Sequence, residues 1–333
     1  MLRVGVIGLG VGEAHLEAYR AHPACEVVAI CDFSAEKQQL AHEKYPDILC
    51  VDQANIILTD PNIHVISIAS FDNYHMEHTV TAIENGKHVF VEKPFCLSEI
   101  EARAIKKSLT SNPHLRFSSN LILRCCPRFI ELKKMIGDTE LGQISYIEGD
   151  YNYGRLHKIT NEWRGQIPFY SVVYGGGLHL VDLMLWLTGD KVIEVSALGN
   201  KIHSAGTQYR YNDTVIALLK FSSGAIGKVG SNYGCVYPHF HTLNVYGTKA
   251  TYVNGLKHAL FYTSRNPDES PRQLDTAYPG VKKGELVFSF IESILHEGKK
   301  PLVTSEDAFQ AMAVCFAIEQ AVKEGNSVVV RQI

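Results

Sequence analysis

The stretch LRVGVIGLGVG, residues 2–12, joins a run of aliphatic and β-branched residues to a glycine-rich turn. Such residues favour extended chain, so residues 2–7 are predicted to form a strand, and residues 13–21 are predicted to form a helix. A glycine turn in this context binds a pyrophosphate, because the backbone can approach it closely and the helix start offers free N–H groups. The spacing departs from the usual G-x-G-x-x-G, since Glu13 fills the place of the third glycine. A purely structural turn is the alternative.

A second strand, predicted over residues 26–31, ends at Asp32, 24 residues after Gly8. An acidic side chain there accepts hydrogen bonds from the ribose hydroxyls of NAD and repels the 2′-phosphate of NADP, so NAD is favoured over NADP. The alternative is a helix cap by Asp32 or Ser34, and the two roles are compatible because the cap and the ribose lie at the same end of the sheet. The candidate cofactor contacts in this region are Gly8, Leu9, Gly10, Val11, Gly12, Asp32 and Phe33.

Strands and helices continue to alternate to about residue 110, which predicts a doubly wound parallel sheet and an α/β fold. Within this pattern, residues 89–91 are predicted to be a buried strand that ends at Glu92-Lys93-Pro94, because a proline cannot donate to a sheet. Ligands of open α/β sheets bind outside the carboxyl ends of the strands, so Lys93 is expected where a ligand lies. The alternative is a pair of solvated charges at a strand end.

The order Gly8-x-Gly10, His15, Asp32 and Glu92-Lys93-Pro94 resembles the glucose–fructose oxidoreductase/inositol dehydrogenase (Gfo/Idh/MocA) family, and the resemblance covers nearly the whole chain. Its most specific element is GKHVFVEKP, residues 86–94. The resemblance implies a Rossmann domain over residues 1–120 and a substrate-binding and oligomerisation domain with a large open, mostly antiparallel sheet over residues 121–333. It also implies that Lys93 lies between nicotinamide and substrate. Further cofactor contacts implied in this way are Ser70, Phe71, Asn73, His75 and Glu92.

Residues 175–182, GGGLHLVD, are predicted to be a glycine turn followed by a buried helix. His179 and Asp182 are three residues apart and therefore share one helix face. A histidine on an apolar helix is most often a core residue, but the resemblance implies that His179 faces the substrate. Members of the family often carry an aspartate four residues before this histidine, where this chain has Gly175. Whether His179 alone, Tyr174 or another residue completes the acid–base set is open.

The remaining substrate candidates lie before this helix. Arg124 could bind substrate oxygens or phosphate, or form an interdomain ion pair. Trp163 and Arg164 lie in a predicted loop, where a flat apolar ring suits the face of a pyranose, and a packed loop anchor is the alternative. The set of substrate candidates is Arg124, Trp163, Arg164, Tyr174 and Asp182. His239-x-His241 could ligate a metal, but no further ligand suggests itself, so no metal site is predicted.

Composition excludes several classes of partner. A length of 333 residues exceeds what one core usually supports, and 46% hydrophobic with 20% charged residues is typical of a globular protein. A net charge of −3 without a long basic run argues against nucleic acid or a membrane surface as partner. The apolar start lacks a signal-peptide cleavage region, and the longest apolar segment, residues 178–187, is too short to span a bilayer. The protein is therefore expected in the cytoplasm.

The C-terminal half is expected to carry five short strands, residues 192–198, 214–221, 225–231, 241–246 and 251–254. A sheet face without covering helices would pair with a second subunit, so a homodimer or homotetramer is predicted. Together with the resemblance, this predicts an NAD(H)-dependent oxidoreductase acting on a sugar or nucleotide sugar, with Lys93 and His179 as acid/base and orienting groups. The alternatives are reduction of another C=O or C=N bond, or a non-catalytic dinucleotide-binding regulator.

Overall fold

The computed structural model describes residues 1–282 and 284–333. The chain divides into two units, one made of residues 1–122, 282–309 and 333 and the other of residues 123–281 and 310–332.

The first unit is built on a six-stranded parallel sheet. Its strands are β1 (Leu2–Ile7), β2 (Cys25–Cys31), β3 (Leu49–Val51), β4 (Val65–Ile68), β5 (His88–Val91) and β6 (Phe117–Ser119). The helices between them are α1 (Gly12–Ala21), α2 (Ala35–Lys44), α3 (Ala54–Thr59), α4 (His75–Glu84) and α5 (Glu99–Ser111). The strand order β3-β2-β1-β4-β5-β6 is that of a doubly wound dinucleotide-binding fold, which confirms the predicted fold class. Ser98 is the N-cap of α5, since its hydroxyl accepts a hydrogen bond from Glu101 N at 3.2 Å.

The strand register brings the predicted cofactor residues to one edge of this sheet. Ile7 pairs with Cys31 on one side and with Ile68 on the other, and Ile68 pairs with Val91. These residues are the last of their strands, so the chain segments that follow them leave the sheet side by side. The chain reverses its direction of winding between β1 and β4, which is where ligands bind in folds of this type.

The second unit is built on a ten-stranded sheet that is mostly antiparallel, as predicted. Its strands are β7 (Ile144–Asn152), β8 (Val192–Asn200), β9 (Thr214–Phe221), β10 (Ile226–Asn232), β11 (Phe240–His241), β12 (Asn244–Gly247), β13 (Thr251–Asn254), β14 (Ala259–Tyr262), β15 (Arg272–Leu274) and β16 (Val328–Val329). The order is β15-β14-β13-β12-β7-β10-β9-β8-β16, with β11 also paired to β7, and only β7 and β10 run parallel. Its helices are α6 (Pro127–Gly137), α7 (His157–Thr160) and α8 (Leu178–Thr188).

Two C-terminal helices follow, α9 (Glu285–Leu295) and α10 (Ser305–Glu324). Residues 282–309 were expected in the second domain but group with the first unit. The reason is apolar packing, since Phe290 of α9 lies against Phe90 of β5 with ring centroids 5.6 Å apart. Among the described residues, no helix combines the length and the apolar character needed to cross a bilayer.

Candidate active site

The glycine loop after β1 has the conformation that a pyrophosphate site requires. Gly8 has φ +91°, and a Cβ there would lie 2.2 Å from Ala69 O, so the position accepts only glycine. A Cβ at Gly10 would meet nothing within 4 Å, which leaves open space at the loop tip. Among the described residues, no side chain caps the start of α1, and an uncapped helix start of this kind suits an anion.

Asp32 ends β2 beside this loop. One carboxylate oxygen accepts a hydrogen bond from Leu9 N at 2.7 Å, and the other accepts one from Ser34 N at 2.9 Å. The Lys37 ammonium lies 3.4 Å from the first oxygen and is half-exposed. Asp32 thus fixes the glycine loop to the start of α2 while presenting a negative charge at the carboxyl edge of the sheet. The predicted capping role of Ser34 is also present, since its hydroxyl accepts from Lys37 N.

The loop after β4 carries four of the predicted cofactor residues. Phe71 meets the exposed Phe33 edge to face with centroids 5.3 Å apart, forming an aromatic pair at the strand ends. Asn73 is exposed in a short 3₁₀ turn. His75 is fully buried, and its two ring nitrogens lie 2.6 Å from Pro94 O and 3.0 Å from Ser70 O. His75 therefore ties two loops together through backbone carbonyls.

Glu92 lies in a buried hydrogen-bond network directly before Lys93. Its Oε1 accepts from Asn120 Nδ2 at 2.6 Å and lies 3.2 Å from His15 Nε2, and its Oε2 accepts from Lys93 N at 3.1 Å. With the proton assigned to Nε2, His15 donates to Glu92 and accepts at Nδ1 from the Ser67 hydroxyl at 3.1 Å. Burial opposes ionisation of Glu92, but His15, Lys93 and Asn120 outweigh it and lower the pKa to about 2. At neutral pH a fixed carboxylate therefore adjoins Lys93.

In the second unit, His179 lies in the first turn of α8, which continues a π-helical turn at Val173–Gly177. The three glycines are therefore helical, where the sequence pattern predicted a separate turn. Two of them permit close approach, because a Cβ would lie 2.0 Å from Tyr170 Oη at Gly175 and 2.3 Å from the ring of Tyr151 at Gly176. π-Helical turns of this kind are frequent at functional sites.

An aromatic wall surrounds His179. Tyr151 stacks on His179 with ring centroids 6.2 Å apart, and His241 meets His179 at 5.9 Å. Tyr153 and Tyr233 pack on each other at 4.7 Å. The aromatic wall consists of Tyr151, Tyr153, His179, Tyr233, His239 and His241.

Two residues predicted to bind substrate, Arg124 and Asp182, bind each other. Arg124 Nε lies 3.1 and 3.0 Å from the two Asp182 oxygens, and Nη2 lies 2.6 Å from Oδ1. Their side chains are 3% and 1% exposed. A carboxylate thus engages the guanidinium fork within one unit, so the pair holds the C-terminal part of the 122–125 turn to α8. The predicted alternative of an ion pair at Arg124 is present, within the second unit rather than between domains, and substrate binding by either side chain stays a prediction.

The other three substrate candidates also lie in the second unit. The Arg164 guanidinium stacks over the Trp163 ring at 4.5 Å, and Trp163 meets Tyr170 edge to face at 6.4 Å. Tyr174 is buried between Phe169 and Phe316, at 5.7 and 5.6 Å. Trp163 is thus anchored as a packed loop residue, and Tyr174 belongs to the core of the second unit.

Comparison with known proteins matches both units. Residues 2–118 match the oxidoreductase family with an NAD-binding Rossmann fold, and residues 129–253 match the GFO/IDH/MocA C-terminal domain. The chain belongs to the Gfo/Idh/MocA oxidoreductase family.

Curated relatives of this family member cover its whole length. Myo-inositol 2-dehydrogenase of Thermotoga maritima is 25% identical over 362 residues, which span 100% of this chain and 99% of that protein. Levoglucosan dehydrogenase of Pseudarthrobacter phenanthrenivorans is 23% identical over 367 residues, spanning 98% and 93%. A solved levoglucosan dehydrogenase in complex with NADH and L-sorbose shares the fold, with a TM-score of 0.88 at 22% identity over 100% of this chain and 99% of that one.

The sequence pattern missed several residues that this member of the Gfo/Idh/MocA family brings together. His15 and Asn120 reach Glu92 from α1 and from the end of β6. Tyr151 and Tyr233 converge through strand pairing, and their positions carry no local motif. His239-x-His241 was the one available signal, and both rings lie against Tyr151, at 5.3 and 5.1 Å.

Proposed function

We propose that this protein is an NAD(H)-dependent dehydrogenase or reductase that acts on a CH–OH or keto carbon of a cyclic polyol or sugar. The observation that carries the proposal is Lys93, which follows β5 at the edge of the sheet that also bears the glycine loop and Asp32. The ionised Glu92 before it fixes the backbone of this lysine. A positioned amine at a dinucleotide edge suits proton transfer coupled to redox chemistry.

The cofactor fits the residues present. The open loop tip at Gly10 and the uncapped start of α1 would hold the pyrophosphate, Asp32 the ribose hydroxyls, and the Phe33–Phe71 pair the adenine. The carboxylate of Asp32 supports NAD over NADP, because it repels a 2′-phosphate. When bound, the cofactor supplies the hydride acceptor or donor for the substrate carbon.

The proposed roles of Lys93 and His179 follow from the proton that must move when the hydride is transferred. Oxidation of a carbinol requires its hydroxyl proton to leave, and Lys93 Nζ accepts it. In the reverse direction the Lys93 ammonium donates that proton to the carbonyl oxygen. His179 orients the same oxygen or shares the proton, as proposed from the family resemblance.

The aromatic wall supports a ring-shaped substrate of low charge. Tyr151 and Tyr153 stack on each other with centroids 5.4 Å apart, and such flat faces suit the C–H face of a pyranose or cyclitol. The curated relatives named for myo-inositol and levoglucosan support the same class. We therefore place cyclic polyols and free sugars ahead of nucleotide sugars.

The test replaces the proposed base. Lys93→Met should lower kcat with NAD⁺ and the best substrate of a polyol and sugar panel by about 10²–10⁴-fold. The affinity for NADH, measured by fluorescence, should stay within about threefold, because the residues proposed to hold the pyrophosphate and ribose remain. Lys107→Met, an exposed lysine on α5, is the matched control. Turnover by Lys93→Met within a few-fold of wild type would refute the assignment.

We also propose that the chain forms a dimer, or a tetramer of dimers, through the large sheet. One face of β8, β9 and β10 exposes four aliphatic side chains. Their exposed fractions are 80% for Leu198, 39% for Ile216, 54% for Leu218 and 54% for Ile226. Leu198 pairs with Ile216 across the strands, so the residues form a continuous patch. A patch of this kind on an antiparallel sheet suits a symmetric partner.

A further inference from the structure

Two tyrosine hydroxyls fill the space that a side chain at Gly175 would need. A Cβ built at Gly175 would lie 2.0 Å from Tyr170 Oη and 2.6 Å from Tyr233 Oη. Real Cβ atoms do not come this close to other atoms, so the tyrosines and any larger residue at this position exclude each other. The departure from the family pattern at Gly175 is thus matched by two compensating side chains.

The two hydroxyls form one polar unit. Tyr170 Oη and Tyr233 Oη are 2.9 Å apart, and the side chains are 2% and 1% exposed. Burial raises the pKa of Tyr233 well above its ordinary value, so its hydroxyl keeps its proton throughout the neutral range. Two hydroxyls carry two protons, and their mutual hydrogen bond uses one of them. The pair therefore stays neutral, with one O–H outside the mutual hydrogen bond.

The pair covers Gly175, one helical turn before His179. Residues four apart are neighbours on a helix surface, and Gly175 precedes His179 by four. The Tyr151 ring links the two groups, because it stacks on His179 at 6.2 Å and packs against Tyr233 at 5.9 Å. The backbone of Tyr170 is also held in place, since Tyr209 Oη donates a hydrogen bond to Tyr170 O at 3.1 Å.

We propose that the Tyr170–Tyr233 hydroxyl pair takes the place of the aspartate that family members often carry at position 175, and donates a hydrogen bond to the substrate oxygen held beside His179. This inference rests on the proposed function. A neutral donor differs from a carboxylate in one respect that matters for chemistry. It stabilises a carbonyl oxygen that gains negative charge, whereas a carboxylate accepts hydrogen bonds from a hydroxyl. The pair thus adapts this site to the keto form of the substrate.

The test removes each hydroxyl while keeping the rings. Tyr233→Phe and Tyr170→Phe should each lower kcat for NADH-dependent reduction of a keto-polyol by about 10²-fold, with a small change in KM and none in NADH affinity. The double variant should lose little more than either single one, because the two groups act as a unit. The control is Tyr252→Phe, since this buried hydroxyl has no hydrogen-bond partner among the described residues. Tyrosine variants with wild-type kcat would overturn the inference.

Replacing the tyrosine pair by an aspartate at position 175 distinguishes hydrogen-bond donation from simple packing. Gly175→Asp alone should lower both the melting temperature and kcat, because its side chain meets the hydroxyls of Tyr170 and Tyr233. In the Tyr170→Ala/Tyr233→Phe background, which removes both hydroxyls, the same substitution should raise kcat at least tenfold over that background itself, since a polar partner is restored. Equal kcat in these two variants would contradict the proposal.

Failure of this inference and failure of the proposed function give different experimental results. Wild-type turnover with unaffected tyrosine variants overturns the inference and leaves the proposed function standing. Absence of wild-type turnover on the whole panel overturns the proposed function. The inference is then decided by calorimetric binding of myo-inositol to the NADH-loaded protein, which Tyr233→Phe should weaken at least tenfold and Tyr252→Phe should not. Equal affinities, or no binding by the wild type, would overturn it.

Discussion

Replacing Glu92 by glutamine should remove a pH-dependent part of the stability of the first unit. The folded-state pKa of about 2 lies well below the ordinary 4.5 of a glutamate, because His15, Lys93 and Asn120 outweigh the cost of burial. A difference of about 2.5 pKa units corresponds to about 3 kcal/mol at neutral pH. Because the folded-state pKa is lowered, this contribution is present above pH 4.5 and is lost as the pH falls toward 2. At pH 3 about half of it should remain.

The assay is urea unfolding of wild type and Glu92→Gln between pH 7 and pH 3, followed by circular dichroism. The free-energy gap between the two proteins should be about 3 kcal/mol at pH 7 and should narrow by more than 1 kcal/mol at pH 3. Glu77→Gln, which changes an exposed glutamate on α4, should track the wild type at every pH. A gap that stays constant with pH would show that the carboxylate is not held ionised by its neighbours.

Three further predictions concern cofactor choice, the buried ion pair and assembly. Asp32→Ala should weaken NADH binding about 10–100-fold in fluorescence titration, because hydrogen bonds to a charged group are lost. NADPH binding should hold or improve, because the charge that repels its 2′-phosphate is also lost. Asp182→Asn leaves the Arg124 guanidinium buried without its anion and should cost about 3–5 kcal/mol of unfolding free energy, whereas Glu140→Gln at an exposed ion pair should cost under about 1 kcal/mol. Leu218→Glu should convert the oligomer to a monomer in light scattering, and a wild type that is already monomeric would refute the dimer.

The parts of the site that sequence predicted are those encoded locally. Gly8, Asp32 and Lys93 each follow a strand directly, and a parallel sheet places such positions at one edge whatever else the fold contains. Ser98 could be assigned as a helix cap for the same reason, because a cap bonds to an amide three residues away.

The aromatic wall could not be predicted, because its members converge only through non-local strand pairing. Tyr151 opposes Ser231 on one side and His241 on the other, across about 80 residues of chain. The glycines at 175–177 led to a different error, since they were predicted to form a turn and are helical. Glycine signals a turn and also a close approach of another side chain, and sequence alone does not separate the two. Strands β14 and β15, of four and three residues, were not predicted from the sequence.

The packing of residues 282–309 with the first unit has a consequence for biosynthesis. Ser118 donates to Val303 O at 2.8 Å and Arg116 donates to Ser293 O at 3.3 Å, so late residues complete the side of the sheet formed by β6. At roughly 5–20 residues per second, the ribosome needs on the order of 10–30 s to reach this segment after residue 122. During that interval the nascent Rossmann sheet exposes apolar surface that α9 and Phe309 of α10 later contact. The nascent chain is therefore exposed to chaperones at this stage, and translation of residues 282–309 determines when the first unit completes its packing.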